Sequence, residues 1–294
     1  MLSIRIIENL EEARAIWEEM SPHSNIYEDW DFRYLFCKYF ICPLRFYVGE
    51  EDGKPVALLP LEYNEEKGRL EFFGGTFMED NHIFVKPGYE KHIPELYAAI
   101  KGKAKLEDIV IDNGFLDMKF QENKYIIELD GLKSLDDYLE KTFSAKTRKG
   151  IRRRNAEVDE LEPRISFNEP SDLDALIELN RRAFGEESSF NKPHRRQIYE
   201  DIMKQFQTLT ISATIAGMKQ NVSLAILYQG TFVSLAIGNN KDDYPNLGHY
   251  MFQRRVEKAI ELGCKTFDAG LGSLGWKDHW HLKKIPEYKY LVRA

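Results

Sequence analysis

The stretch from Thr208 to Trp280 constrains this chain most, because it orders three strands, a loop, a helix and a fourth strand before a turn rich in glycine and tryptophan. TLTISATIA (208–216), NVSLAILYQ (221–229) and TFVSLAIG (231–238) are rich in β-branched and apolar residues and bounded by glycine, which predicts an antiparallel meander. The polar loop NNKDDYPNLG follows. In HYMFQRRVEKAIELG, Met251, Phe252, Val256, Ala259 and Ile260 recur at helical spacing and Gly263 stops the run. CKTFDAG then reads as a short strand. Strands followed by a loop that meets a helix start put backbone N–H groups where an anionic ligand can sit.

Charge points to the same half of the chain. Residues 1–130 hold 15 Lys and Arg against 26 Asp and Glu, a balance of −11, whereas residues 131–294 hold 26 against 22, a balance of +4. An anionic ligand is therefore expected on the second half. With 294 residues, 43% of them hydrophobic, the chain can bury two ordinary cores. Cys37, Cys42 and Cys264 form no CxxC pair, and the N-terminal run LSIRIIENLEEARAIW mixes charges among its apolar residues. A reduced, cytoplasmic protein is expected. No run approaches the roughly 20 apolar residues of a membrane span.

The first half parses on a similar plan. Leu10, Ala13, Ile16, Trp17 and Met20 have helical spacing, and LRFYVGEEDGKPVALLPLEYN reads as a hairpin turning at Asp52 and Gly53. GRLEFFGG, a helix from Pro94 to Ile100, and the strands DIVIDN and YIIELD follow. The join between halves is expected at Asp130 to Ser134, before a helix capped by Ser134 with Asp137 three residues later. A second helix is expected after Ser144. It carries KTRKGIRRR, six positive charges in the nine residues from Lys146 to Arg154. Such a run suits either a solvated helix face or an electropositive wall for phosphates.

Four segments in this order carry a family resemblance: VGEEDGKPVALLPLEYNEEKGRLEFFGG (48–75), SLDDYLEKTFSAKTRKGIRRR (134–154), DDYPNLGHYMFQRRVEKAIELGCKTFDAG (242–270) and GWKDHW (275–280). Together they resemble the GNAT N-acyltransferases, and more closely the CelD/BcsL-type or BioF2-like acetyltransferase branch related to the Fem aminoacyl transferases. The resemblance implies an α+β fold of two tandem GNAT-like domains, with mixed sheets flanked by helices. Residues 1–130 would form a degenerate N-terminal domain and residues 131–294 a C-terminal domain with the basic helix and the active site. It implies transfer of an acetyl or other acyl group from acyl-CoA to a small-molecule or peptidyl amine. Aminoacyl-tRNA is the alternative donor, and a catalytically silent ligand-binding module is the alternative class.

The resemblance also assigns residues. Asn246, Leu247, Gly248 and His249 stand where a GNAT helix start holds the donor pyrophosphate, and Arg148, Arg152 and Arg153 would border the cleft. The usual loop has several glycines, whereas this one has Gly248 alone, preceded by Asp242 and Asp243, whose carboxylates would repel a diphosphate. Trp276 and Lys277 match the aromatic-Lys pair of Fem-like enzymes, in which the lysine stabilises charge on the reacting carbonyl oxygen. Asp268 and Tyr244, with His249, Asp278 and His279, are the candidates for proton transfer. Gly270, Gly272 and Gly275 spell GxGxxG, but no long helix and acidic strand can follow in the residues left, so a close-approach turn is the better reading. His279 and His281 have no further spaced ligands, and no metal is expected.

Overall fold

The structure, a computed structural model, describes residues 2–40, 42–110, 117–272 and 275–293. The chain divides into two compact units, Met1–Lys124 with Lys284–Ala294, and Tyr125–Lys283. Unit 1 contains β1 (Ser3–Ile7), α1 (Leu10–Met20), α2 (Trp30–Phe40), β2 (Leu44–Glu51), β3 (Lys54–Asn64), β4 (Arg69–Phe72), β5 (Phe84–Val85), α3 (Ile93–Ala98) and β6 (Ala104–Ile109). Strand β7 (Lys119–Glu128) leads into unit 2. There follow α4 (Leu135–Thr142), α5 (Ala145–Asp159), β8 (Arg164–Phe167), α6 (Asp172–Phe184), α7 (Arg195–Gln205), β9 (Thr208–Ile215), β10 (Met218–Tyr228), β11 (Thr231–Asn239), α8 (Leu247–Glu261), β12 (Thr266–Leu271) and the short α9 (Trp276–His279). The last strand, β13 (Lys283–Val292), returns to unit 1.

In unit 1 the strands run β1-β2-β3-β4-β6-β13, with β5 on β3. All pair antiparallel except β4 with β6. Its core is aromatic: Trp17 lies edge-on to Phe84 with ring centroids 4.7 Å apart, and Trp30 and Phe73 are 4.9 Å apart. In unit 2 the order β8-β9-β10-β11-β12 is antiparallel up to β11, and β11 and β12 are parallel. The expected meander is β9, β10 and β11, with each end within three residues of its sequence estimate.

Local chemistry explains the hairpins. The links Asp52-Gly53, Ala216-Gly217 and Gln229-Gly230 all have positive φ at both residues, which is the two-residue turn whose twist matches that of paired strands. Both predicted caps form: Ser134 accepts from the Asp137 amide and Ser144 from the Thr147 amide. Glycine also sets layer spacing in unit 2. A Cβ at Gly238 would lie 2.7 Å from Leu176 O, so β11 packs against the backbone of α6 as no other residue would allow. The expected strand DIVIDN is realised as the end of β6, and its residues 111–113 lie outside the described residues.

Candidate active site

Strands β11 and β12 pair only through Thr231–Thr266, Phe232–Phe267 and Val233–Asp268, although β11 continues to Asn239 and β12 to Leu271. At the same place the register of β10 on β11 shifts, Leu224 facing Ala236 and Ala225 facing Ser234, so Leu235 is the extra residue of a bulge. Bulges bend a strand and end its pairing. The burial pattern follows: Phe232 and Val233 are buried, and Ser234 to Ile237 are half-buried, as are Ala269 to Leu271 opposite. Two parallel strands thus separate toward their carboxyl ends, the place where parallel sheets form ligand crevices. The loop after β11 delivers the start of α8 to that same end.

The α8 entrance is not closed by a side-chain cap. Asn246 occupies the N-cap position without a side-chain capping bond; its Nδ2 donates instead to Glu157 Oε2 of α5 at 3.0 Å. No acidic residue lies in the first turn, so its N–H groups keep their partial positive charge. Gly248 leaves room at the Asn239 amide, which a Cβ would meet at 3.0 Å. Asp243, one of the two suspect carboxylates, is turned to Asn240 Nδ2 at 2.9 Å and to the Arg182 guanidinium at 3.0 Å, and these partners hold its carboxyl below the usual range. Asp242 is exposed.

The tryptophan-lysine turn is tied to both the strand end and the helix start. Lys277 is buried, 3% exposed, and its Nζ donates to Gly270 O at 2.8 Å and Leu271 O at 2.7 Å. Its ammonium lies 5.2 Å from the Tyr125 ring centroid and 5.9 Å from that of Trp276. Asp268, also buried, accepts from the Gly270 amide at 2.8 Å. Trp276 and Trp280 both pack on Phe252 of α8, with centroids 5.1 and 4.9 Å away. Trp280 Nε1 donates to His249 Nδ1 at 2.9 Å. An indole N–H can only donate, so neutral His249 carries its proton on Nε2. Burial, reinforced by the positive Arg154 and by His279, holds His249 below its ordinary range.

Of the residues expected from sequence, Lys277, Trp276, Asp268, Leu247, Gly248 and His249 are brought together at this end of unit 2. Asn246 borders it, with its side chain committed to α5. Tyr244 packs against the hydrophobic core, and its carbonyl accepts from Leu247 N at 3.1 Å. Arg148 turns back to Phe143 O at 2.8 Å. Arg152 and Arg153 are exposed on α5, Arg153 lying 3.7 Å from Glu157. The segment 273–274 of the glycine turn lies outside the described residues.

Sequence reasoning passed over Arg255. It is 3% exposed, donates to Ser234 Oγ at 3.3 Å and to Met251 O at 3.4 Å, and has no ion-pair partner among the described residues. Burial pushes its guanidinium down to about 10. Its spacing from Met251 and Ala259, four residues each way on the buried face of α8, was the available signal. Among the described residues no group of three His, Cys, Asp or Glu could hold a metal ion, and no helix is long and apolar enough to cross a membrane.

Comparison with known proteins agrees with this architecture. Residues 145–278 match the family model described as "Acetyltransferase (GNAT) domain". None of the curated protein sequences compared gives a significant match. Among solved structures, FemX aligns with 98% of this chain and 97% of its own at a TM-score of 0.61 and 12% identity. L-PGS from Bacillus licheniformis aligns with 98% and 92% at 0.59 and 13%. A tandem GNAT protein from the clavulanic acid biosynthesis pathway aligns with 99% and 98% at 0.56 and 10%. At such identities the likeness establishes the fold: two tandem GNAT-like domains of mixed α/β structure. Acyl transfer is the general activity this class supports.

Proposed function

We propose that the protein is an N-acyltransferase that moves an acetyl or other acyl group from an acyl-CoA thioester to an amine at the carboxyl ends of β11 and β12. The observation that carries this reading is the parting of two parallel strands at a helix start whose first turn has no side-chain cap. The donor's phosphates would lie at Leu247, Gly248 and His249, and its thioester would run into the gap between the strands. A neutral amine nitrogen then attacks the carbonyl carbon and the carbonyl oxygen becomes an oxyanion. The C–S bond breaks, the CoA sulfur leaves as thiolate, and the nitrogen gives up a proton.

In this reading Lys277 is a positioning residue. Trans peptide groups point N–H and C=O in opposite directions. Two successive carbonyls held on one ammonium therefore fix the peptide planes at the strand end and turn the Gly272 amide to the opposite side, as a donor for the oxyanion. Asp268 braces the same turn through Gly270. Arg255, behind Ser234, adds buried positive charge beside the gap. Residues 131–294 would thus form the catalytic domain and residues 1–130 a degenerate copy, in a protein working in the cytoplasm. Aminoacyl-tRNA is a second reading for the donor, favoured by the exposed Arg152 and Arg153.

The test is calorimetry with acetyl-CoA together with a thiol-release assay over a panel of amines. Saturable CoA binding with amine-dependent thiol release is expected. No binding of acetyl-CoA by folded protein would reject acyl-CoA as donor, and no turnover with either donor would leave the fold as a silent module.

A further inference from the structure

Arg255 of α8 carries a buried charge that the protein itself does not neutralise. It is 3% exposed, and both of its hydrogen bonds are long and end on neutral oxygens, Ser234 Oγ at 3.3 Å and Met251 O at 3.4 Å. A guanidinium has five N–H donors, so three of the five have no acceptor among the described residues. Its Cζ lies 5.7 Å from the Phe252 ring centroid, and no carboxylate offsets its burial. Arg33, buried in unit 1, is the contrasting case. It donates to Tyr27 O, Phe73 O and Asn81 Oδ1, and the Glu28, Glu62 and Asp80 carboxyl groups offset its burial.

The position of Arg255 connects it to the gap between the strands. Ser234 follows directly on Val233, the last residue of β11 that pairs with β12, and it is half-buried. The guanidinium therefore sits at the root of the gap, behind a residue that a ligand can touch. At 1.5 Å per helical residue, Arg255 lies roughly 10 Å further along α8 than Gly248. A donor with its phosphates at the α8 start thus brings its far end, and not its phosphates, to Arg255.

A carboxylate suits such a group best. Its two oxygens match the planar guanidinium fork, and the paired bonds are short and charge-assisted. An uncompensated buried charge is costly, so a carboxylate that reaches it relieves a cost that a neutral chain of the same length cannot.

We propose that Arg255, beside Ser234, receives a carboxylate at the root of the gap, and that this carboxylate belongs to a substrate, either a dicarboxylic acyl-CoA such as succinyl-CoA or an amino acid serving as the amine. Only the assignment to a substrate rests on the acyl-transfer reading. The depth of Arg255 along α8 favours the acyl chain. The carboxylate takes no part in the bond changes and passes unaltered into the amide product.

Calorimetry on the whole chain tests this with two matched pairs, succinyl-CoA against butyryl-CoA, and alanine against alaninamide in protein saturated with CoA. One pair should show a preference of about tenfold or more for the acid. The first pair identifies the acyl chain as the source of the carboxylate, the second the amine. In Arg255→Met the preference should shrink to within about twofold, and Arg255→Lys, which keeps the charge without the fork, should fall between. The melting temperature separates a receptor from a strut: Arg255→Met removes a buried unpaired charge and should hold or raise it. No preference in either pair of the unaltered protein, or a preference kept in folded Arg255→Met, would overturn the proposal, as would a lowered melting temperature in Arg255→Met with the preference intact. Equal thiol release from succinyl-CoA and butyryl-CoA, with no preference between the two amines, would also overturn it while leaving acyl transfer standing. An Arg255-dependent preference without thiol release from any donor would count against acyl transfer and leave the carboxylate site in place.

Discussion

Units 1 and 2 each contain two parallel strands with a helix between them in the chain, β4 and β6 with β5 and α3 between, and β11 and β12 with α8 between, and they treat the space beyond the pairing in opposite ways. In unit 1 the first strand has 4 residues and the helix 6, and the parallel register is the single pair Leu70–Ala104. The chain after β4 fills the gap with its own groups. Phe73 is fully buried, its carbonyl accepts from the Arg33 guanidinium at 2.7 Å, and the Gly74 amide donates to Glu62 at 2.9 Å. In unit 2 the first strand has 9 residues and the helix 15, and Ser234 to Ile237, just beyond the pairing, stay half-buried. One topology therefore yields a plugged seam or an open one, depending on strand length and on which side chains follow the strand.

Replacing one key residue in each unit puts this difference under the greatest strain. Lys277→Met keeps apolar bulk but releases the Gly270 and Leu271 carbonyls. We expect kcat/KM to fall about 100- to 1,000-fold, the size of losing an oxyanion donor, in a thiol-release assay normalised to folded protein. Arg33→Met should do the reverse. It leaves Phe73 O and Asn81 Oδ1 without their donor deep in unit 1, so unfolding by urea should lose about 3–5 kcal/mol, while the KM of the folded fraction for acetyl-CoA is unchanged. Loss of turnover from Arg33→Met in fully folded protein would put chemistry in the plugged seam.

Acidity should separate the units by sign. Burial pushes Glu62 up from 4.5 to about 7, so the folded state holds a proton that the unfolded state releases. Its contribution to unit 1 is present below pH 4.5 and is lost as pH rises through about 7. His249 is the opposite case. Its folded value lies below the ordinary 6.5, so its contribution is present above pH 6.5 and is lost as pH falls through the depressed value. Hydrogen exchange followed against pH should show unit 1 loosening toward alkaline pH and the α8 start loosening toward acid. Glu62→Gln should reduce the alkaline limb of unit 1, which Asp108 and Glu287 share because burial raises them too, and leave the acid limb at α8 unchanged, whereas His249→Gln should reduce only the acid limb.

Much of this contrast was legible in the sequence where a signal is local. Hairpins announce themselves through a residue followed by glycine, and α4 and α5 through Ser134 and Ser144, because turn and cap chemistry acts within a few residues. The family resemblance assigned Leu247, Gly248, His249 and Lys277 to one cleft, and the fold brings them to one end of unit 2. What escaped was non-local. Nothing in KKIPEYKYLV says that β13 will pair with β6, more than 150 positions earlier, since alternation sets which face is apolar and not which neighbour is chosen. Arg255 was overlooked because arginine on a helix is usually solvated, although its spacing put it on the buried face. The basic run was legible as charge but not as geometry: Arg148 is spent on Phe143 O, and only the later arginines face solvent.

Smaller effects bear on the donor. Gly248→Ala brings a Cβ to 3.0 Å from the Asn239 amide, a clash that Asn239 relieves by a shift of a few tenths of an ångström. The donor KM should rise about threefold to tenfold, equivalent to roughly 1 kcal/mol, with kcat nearly unchanged. If Gly248→Ala lowered kcat and left KM alone, the α8 entrance would serve the reacting group and not the phosphates.

The smallest effect discriminates best between donors. Arg152 and Arg153 lie on the exposed face of α5, opposite Ile151 and Val158, and the Arg153 side chain is 78% exposed. Exposed charges interact weakly and are screened beyond about 10 Å at 0.1 M salt. Replacing both by glutamate should therefore raise the KM for acetyl-CoA only about twofold to fivefold, a difference that disappears as salt is raised. A tRNA donor would respond otherwise, because every phosphate that an arginine no longer neutralises is one fewer counterion set free on binding. The slope of log affinity against log salt would then become shallower by about 0.7–0.9 per arginine. A double variant with a changed slope for tRNA and an unchanged KM for acetyl-CoA would make the aminoacyl reading the stronger one, and would turn the basic face of α5 from a solvated surface into part of the donor site.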